Sequence, residues 1–349
     1  MPHDVLTRAM NAVASGRDLE DAEAAEVLEV IMAGDAGEAE IAGFLMALRT
    51  KGETEAELAG LARTMRALAT PVHTGRDDLL DTAGTGGGRS SFNISTTAAL
   101  IAAGAGCVVA KHGNRSATSR SGSADLLEAL GARIDLPPDA VAECIREAGF
   151  GFMFAPAHHQ AMRFVVPVRR ALGVRTVFNL LGPLTNPAGA TRQLVGVSDS
   201  AFLDVVAGAL ARLGVERALV VSGRQGLDEL DTAGETEVVE VTGAAGGDQP
   251  TIRRFAYSPA QAGLATARPE DLAGGSPEEN AAVTRRVLAG EPGPARDVAV
   301  LNAGAAIHAA GAADSIEAGV RAAEAALDDG RAAAALGRYV AMTTELAPA

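Results

Sequence analysis

Over the first 70 residues apolar side chains return every three or four positions, most clearly at Ile41, Phe44, Leu45 and Leu48 and again at Leu58, Leu61, Met65 and Leu68. That spacing predicts amphipathic helices. Gly34 and Gly52 stand just behind periodic stretches, where a residue free to take positive φ can end a helix, and acidic residues open the stretches that follow. Residues 1–71 therefore read as a small, strandless helical domain. After Pro71 the period changes. Short apolar runs at 107–110, 151–155, 194–197 and 218–221 alternate with longer helical patterns such as 199–213, which predicts a largely parallel sheet. The runs 238–241 and 252–257, separated by Gly- and Asp-rich residues, predict an added antiparallel pair, and helices return from about residue 276. The expected fold class is α/β: a small all-helical N-terminal domain, then a larger domain over 72–349 with a mostly parallel central sheet. Helices around 160–190 are expected to pack with the first domain.

Composition narrows the function more than the fold. With 349 residues, 48% of them hydrophobic, the chain can bury a substantial core. A net charge of −14 opposes a nucleic-acid backbone or an anionic membrane, both of which are bound through excess Lys and Arg. Cys107 and Cys144 are 37 positions apart with no CxxC or Cys/His cluster nearby, so neither a disulfide framework nor a zinc site is expected. The longest uncharged apolar stretch, 98–110, has 13 residues, short of the roughly 20 that span a bilayer. The N-terminus lacks a signal-peptide pattern. A soluble, cytoplasmic protein is expected.

Any phosphate must then be met locally, and two loops look built for one. The strand at 79–81 runs into GTGGG at 84–88, then Arg89, Ser90, Ser91 and Phe92-Asn93-Ile94-Ser95-Thr96, which opens an apolar helix. Glycines let backbone N–H groups approach an anion, a helix N-terminus offers unpaired donors, and hydroxyls of Ser91, Ser95 and Thr96 add donors or a metal ligand. The segment is neither a P-loop nor a dinucleotide fingerprint, lacking Lys after the last Gly and Gly at Arg89; a plain glycine-rich turn is the alternative. The second loop, KHGNRSATSRSGSADLLEALG at 111–131, follows the 107–110 strand. Lys111, His112, Asn114, Arg115, Ser116, Thr118, Ser119 and Ser123 form a dense polar set at a strand's C-terminal end, where open α/β sheets bind ligands. A solvated connection is the alternative.

Taken together, GTGGG…FNIST, KHGNRSATS…GSADLLEALG, FAPAHHQAMR…VRRALGVRTVFNLLGPLTNPA, GLDEL and LNAGAAIHAAG, in that order over residues 81–311, resemble the anthranilate phosphoribosyltransferases of tryptophan biosynthesis. The resemblance implies the nucleoside phosphorylase/phosphoribosyltransferase type of fold. It also implies transfer of the ribosyl phosphate of 5-phosphoribosyl 1-pyrophosphate (PRPP) to the amine of anthranilate, with release of pyrophosphate. It places PRPP against Gly84, Gly87, Gly88, Ser91, Asn93, Ile94, Ser95 and Thr96, and against Lys111, His112, Gly113, Asn114, Arg115, Ser116, Ala117, Thr118, Ser119 and Ser123. Its magnesium ion (Mg2+) falls to Ser95, Asp228 and Glu229; adjacent acids alone mean little in so acidic a chain, and these gain weight from GLDEL following the 218–221 strand. Anthranilate falls to Arg169, suited to hold a carboxylate in a two-bond fork, with Gly84, His112, Asn114 and His159 nearby. For both histidines a merely packed ring is the competing reading, and for Arg169 a helix-surface arginine. Pro183 and Pro187 are assigned structural roles. Because the acceptor amine is neutral, no obligatory general base is expected. The helical domain and the family's habit imply a homodimer.

One departure stands out. The resembled motif is GTGGD with one more residue before the Asn, whereas here Gly88 occupies the Asp position and Asn93 arrives one residue early. Two other functions compete: a pyrimidine nucleoside phosphorylase of the same fold, against which KHGNR and GPLTNP speak, and a non-catalytic nucleic-acid-binding homologue, which the acidic balance opposes.

Overall fold

The computed structural model describes residues 2–116, 120–243 and 249–347. The first 68 residues form four helices, Asp4–Ala14, Asp21–Ala33, Glu38–Lys51 and Glu55–Leu68. Gly34 and Gly52 end the second and third at φ of +84° and +92°. Ile41, Phe44, Leu45, Leu48, Leu58, Leu61 and Met65 are buried as their spacing predicts, but Leu68, at the end of its helix, is 51% exposed.

Seven strands follow: β1 (Leu79–Gly84), β2 (Val108–Gly113), β3 (Phe150–Phe154), β4 (Arg192–Gly196), β5 (Arg217–Gly223), β6 (Thr236–Thr242) and β7 (Thr251–Tyr257). They make one sheet in the order β3-β2-β1-β4-β5-β6-β7, parallel through β5 and antiparallel at β6 and β7. The predicted antiparallel pair is therefore present. The 199–213 pattern becomes a 3-10 turn, Ser200–Phe202, and a helix, Leu203–Arg212.

Strand alternation divides the core between two layers. Leu194, Leu219, Val221 and Val238 face a cluster built with helices Ile94–Gly104, Pro294–Ala309, Ile316–Asp328 and Arg331–Glu345. Val195, Ala218, Val220, Val239 and Val241 face a second cluster shared with helix Leu203–Arg212 and the four N-terminal helices. Val165, Val168, Val177, Phe178, Leu181 and Leu184 lie in that second cluster. Both sheet faces are covered, which is why the central strands read as continuous apolar runs. Among the described residues no helix is long and apolar enough to cross a membrane, and both cysteines are buried thiols.

Candidate functional site

The chain passes from β1 to β2 on one side and to β4 on the other, so the sheet order reverses at β1. A crevice opens at the C-terminal ends of parallel strands at such a reversal, and the predicted loops meet there. Gly86 and Gly87 turn the chain at φ of +64° and +79°. The helix Ile94–Gly104 then runs into the core with every residue buried except Ser95, which keeps surface at its first turn.

The loop 226–231 folds back over β1 and β4. A methyl group on Gly196 would lie 1.7 Å from the Asp228 carbonyl oxygen, and one on Gly84 would lie 2.9 Å from Asp228 Oδ2, so both glycines admit this close crossing. The amide of Gly86 donates to Asp228 Oδ2 at 3.0 Å. The amide of Ser95 faces Glu229 and favours its charged form. Burial raises Asp228, and burial together with the charge of Asp228 raises Glu229, although Lys111 opposes the latter. Lys111 is 1% exposed, and its ammonium donates to the Thr82 carbonyl, to Thr82 Oγ1 at 3.2 Å and to Ser95 Oγ at 3.5 Å. Burial pulls it down, while Asp81 and Glu229 hold it up. The structure thus brings Ser95, Lys111, Asp228 and Glu229 together around the glycine loop. Two carboxylates and a hydroxyl, all hard oxygen donors with one neighbouring cation, suit a divalent ion. No group of three or more His, Cys, Asp and Glu side chains placed to hold a metal ion occurs among the described residues, and here Ser95 is the third oxygen donor beside the two carboxylates.

His112 projects to the opposite side of β2. Its ring lies 5.1 Å from that of His159, and its Nδ1 is 3.2 Å from the Gly182 carbonyl. Burial pushes His112 down to about 3 and His159 down to about 4, leaving both rings neutral near pH 7. The Nε2 atoms of both are buried with no partner among the described residues. Arg169 is half-buried, sits 5.7 Å from the Phe178 ring and makes one weak hydrogen bond, 3.4 Å, to Asn179 Oδ1. Its neighbours are used differently: Arg163 stacks on Phe164, and Arg175 donates to the Gly86 carbonyl at 2.7 Å.

Several of the expected residues are committed elsewhere. Arg115 turns away onto Asp125 and Glu128. Asn93 is bound to Ser121, through Nδ2 and Oδ1, and to Asn280 at 2.8 Å, tying the two loops together. The Ser91 hydroxyl donates to the Phe92 carbonyl. Ile94 and Thr96 are buried in the core. Asn114, exposed, caps the Arg115 amide, while Gly113 and Ser123 adjoin one another. Gly88 abuts Asp228 and Ser116 approaches Asp125. Ala117, Thr118 and Ser119 lie outside the described residues.

Sequence reading missed Asp81. It is fully buried, accepts from the His112 amide and from Asn186 Nδ2 at 2.7 Å, and is raised to about 6 by burial. Its one signal was a carboxylate inside an apolar strand end leading straight into the glycines. Asn186 also donates to the Ala110 carbonyl, so the TNP segment clips β1 to β2.

Comparisons with known proteins identify the family to which this two-part fold belongs. Residues 7–69 match the glycosyl transferase family's helical bundle domain, and residues 76–333 match its a/b domain. The anthranilate phosphoribosyltransferase of Moorella thermoacetica is 52% identical over 97% of this chain and 98% of its own length. That of Rubrobacter xylanophilus is 53% identical over 98% and 99%. The crystal structure of the Thermus thermophilus enzyme superposes with a TM-score of 0.89 at 50% identity, covering 96% of this chain and 99% of that one. The Saccharomyces cerevisiae enzyme in complex with PRPP and Mg gives 0.87 at 27% identity over 98% of each chain. A complex of that enzyme with 4-fluoroanthranilate gives 0.86 at 26%, again over 98% of each. With two-domain coverage and about half its residues shared along nearly the full length, the chain belongs to the anthranilate phosphoribosyltransferase family.

Proposed function

We propose that this chain transfers the 5-phosphoribosyl group of PRPP to the amine of anthranilate, releasing pyrophosphate, as a step of tryptophan biosynthesis. The glycosyl transferase family match together with the anthranilate phosphoribosyltransferase relatives supports a pentosyltransferase. The observation that carries the reading is the gathering of Ser95, Lys111, Asp228 and Glu229 beside the 84–88 loop at the sheet's switch point. Residues Ser95, Asp228 and Glu229 would hold Mg2+, which supplies positive charge against the departing pyrophosphate. The first helix turn and the glycine amides meet the remaining phosphate charge. As the C1–oxygen bond breaks, the neutral arylamine adds its lone pair to C1 and then yields a proton to water, so positioning replaces a general base. Arg169, with one weak bond of its own, has donors left for the anthranilate carboxylate, and the neutral His112 and His159 rings line that side. The helical residues 1–71 and the α/β residues 72–349 act as two domains, in the cytoplasm and as a homodimer; a monomeric mass by light scattering would remove the last point.

Consumption of anthranilate, followed by its fluorescence with PRPP and Mg2+, tests the assignment. Arg169→Ala is expected to raise the anthranilate KM about tenfold or more with the PRPP KM unchanged, as loss of a charged fork implies. Asp228→Ala is expected to abolish most Mg2+-dependent turnover. Base release from thymidine or uridine with phosphate alone would favour a phosphorylase instead.

A further inference from the structure

Among the described residues three polar contacts join the glycine loop to the loop of Asp228 and Glu229. The amide of Gly86 meets Asp228, the amide of Arg89 meets the Gly226 carbonyl at 2.6 Å, and the Arg89 guanidinium meets Asp231. The first uses a group that the proposed function hands to the metal, so it is the one that a bound donor and ion disturb. The other two use only Arg89. Its Nη2 lies 3.1 Å from Asp231 Oδ2 and 3.2 Å from Oδ1, across 142 positions of sequence. The Asp231 side chain is wholly buried and accepts the Ala233 amide at 2.8 Å, and among the described residues Arg89 is its one counter-charge and Oδ2 has no hydrogen-bond partner beyond that ion pair. Gly88 makes the approach possible, since a methyl group there would lie 2.7 Å from the Gly226 oxygen.

The pairing is not the tidy product of packing. Arg89 Nε and Nη1 are buried without partners among the described residues, a condition that folded proteins avoid unless something is gained by it. We infer that Arg89 is a positioning residue: its ion pair with Asp231 latches the glycine loop onto the carboxylate loop, fixing the spacing between the two halves of the donor site. The inference rests on the function proposed above. The latch touches neither the acceptor side nor the residues assigned to the ion, so it survives when donor and ion fill the crevice.

The test compares wild type, Arg89→Gln, Arg89→Lys, Asp231→Asn and the Arg89→Gln/Asp231→Asn double variant by steady-state kinetics and by calorimetric titration with PRPP and Mg2+. Arg89→Gln and Asp231→Asn are each expected to raise the PRPP KM about tenfold, the scale of one lost charged contact, and to raise the Mg2+ needed for half-maximal rate. The anthranilate KM is expected to hold, Arg89→Lys to recover part of the loss, and the double variant to be no worse than either single one, because the pair acts as a unit. A fall in thermal midpoint with an unmoved PRPP KM would reduce Arg89 to a structural tie and overturn the inference. If Arg89→Gln does not fold, Arg89→Lys carries the same comparison. Wild-type protein that fails to take up PRPP with Mg2+ sinks the proposed function along with the latch; wild type that binds normally, with both Arg89 variants binding equally well, sinks the latch alone.

Discussion

Restoring the aspartate of the family's GTGGD motif at Gly88 is expected to harm this enzyme. A Cβ built there lies 2.7 Å from the Gly226 oxygen, 3.1 Å from Asp228 Oδ1 and 3.2 Å from the Asp228 amide. Carbon and oxygen approach comfortably only to about 3.3 Å. The Gly226 carbonyl cannot simply withdraw, because it accepts the Arg89 amide at 2.6 Å. Gly88→Ala therefore isolates the steric conflict, worth about 1–3 kcal/mol by the usual scale of overpacking. If that strain is relieved by displacing the 226–231 loop, kcat/KM for PRPP falls about tenfold for each 1.4 kcal/mol. Gly88→Asp adds a carboxylate beside Asp228, where two like charges at about 4 Å repel by up to about 4 kcal/mol at a surface-like dielectric. The aspartate variant should then be worse than the alanine variant at low Mg2+ and recover toward it as the ion neutralises the cluster. Initial rates across a Mg2+ series decide the matter. Wild-type kcat/KM in Gly88→Asp at every Mg2+ concentration would show that the glycine is a neutral substitution and that the loop spacing is not critical.

Two further predictions concern stability. Glu57, completely buried, accepts the Leu19 amide at 2.9 Å and the Thr54 amide at 2.8 Å, and pairs with Lys51 at 3.1 Å. Glu57→Gln turns an amide toward donors and should cost about 2–3 kcal/mol in urea unfolding, with a loss under about 0.5 kcal/mol showing the cluster to be unimportant. His308 Nε2 lies 3.3 Å from Glu240, Nδ1 lies 2.9 Å from the Ala313 carbonyl, and Arg217 opposes the charge that Glu240 and Glu317 favour. The hydrogen bond to Glu240 raises His308 above 6.5, and the same bond, with Arg253, holds Glu240 down to about 2. A raised group stabilises fully below its unfolded value, so the thermal advantage of wild type over His308→Gln should be largest below about pH 6 and shrink as pH rises through the folded value. An advantage that grows with pH would reverse the assignment.

Periodicity revealed the helical domain, because large apolar side chains recur at helical spacing even where, as at 57–62, small residues bury the other faces too, and the central strands, because a sheet covered on both faces leaves unbroken apolar runs. Their ends were less legible. β2 extends through Lys111, His112 and Gly113, and β1 reaches Gly84, so the chemistry sits on strand ends that polar residues made look like loops. The grouping of Ser95, Asp228 and Glu229 was implied by the family resemblance, and Lys111 joined them because parallel strands present their C-terminal ends to one crevice. The diversion of Arg115 to Asp125 and Glu128, 10 and 13 positions on, was not visible, since a basic residue in a phosphate-like loop carries no mark of its partner. The Asn93–Asn280 bond, spanning 187 positions, and the Arg89–Asp231 pair belong to the same class: contacts made by tertiary folding between segments with no shared pattern.

The separation of the Lys111 cluster from the histidine pair can be traced to one strand. Lys111 and His112 are consecutive in β2, held in register against Phe152 and Met153 of β3, so their side chains must point to opposite faces. Lys111 reaches Thr82 and Ser95 beside the carboxylates, while His112 meets His159 and the Gly182 carbonyl. A slip of one residue would exchange them, placing a neutral ring beside Ser95 and the carboxylates and a cation against His159. Asp81 and Asn186 oppose that slip: the carboxylate takes the His112 amide and the Asn186 amide group, and Asn186 also binds the Ala110 carbonyl. This buried polar clip offsets its desolvation by fixing which face of β2 carries the Lys111 charge and which carries the His112 ring.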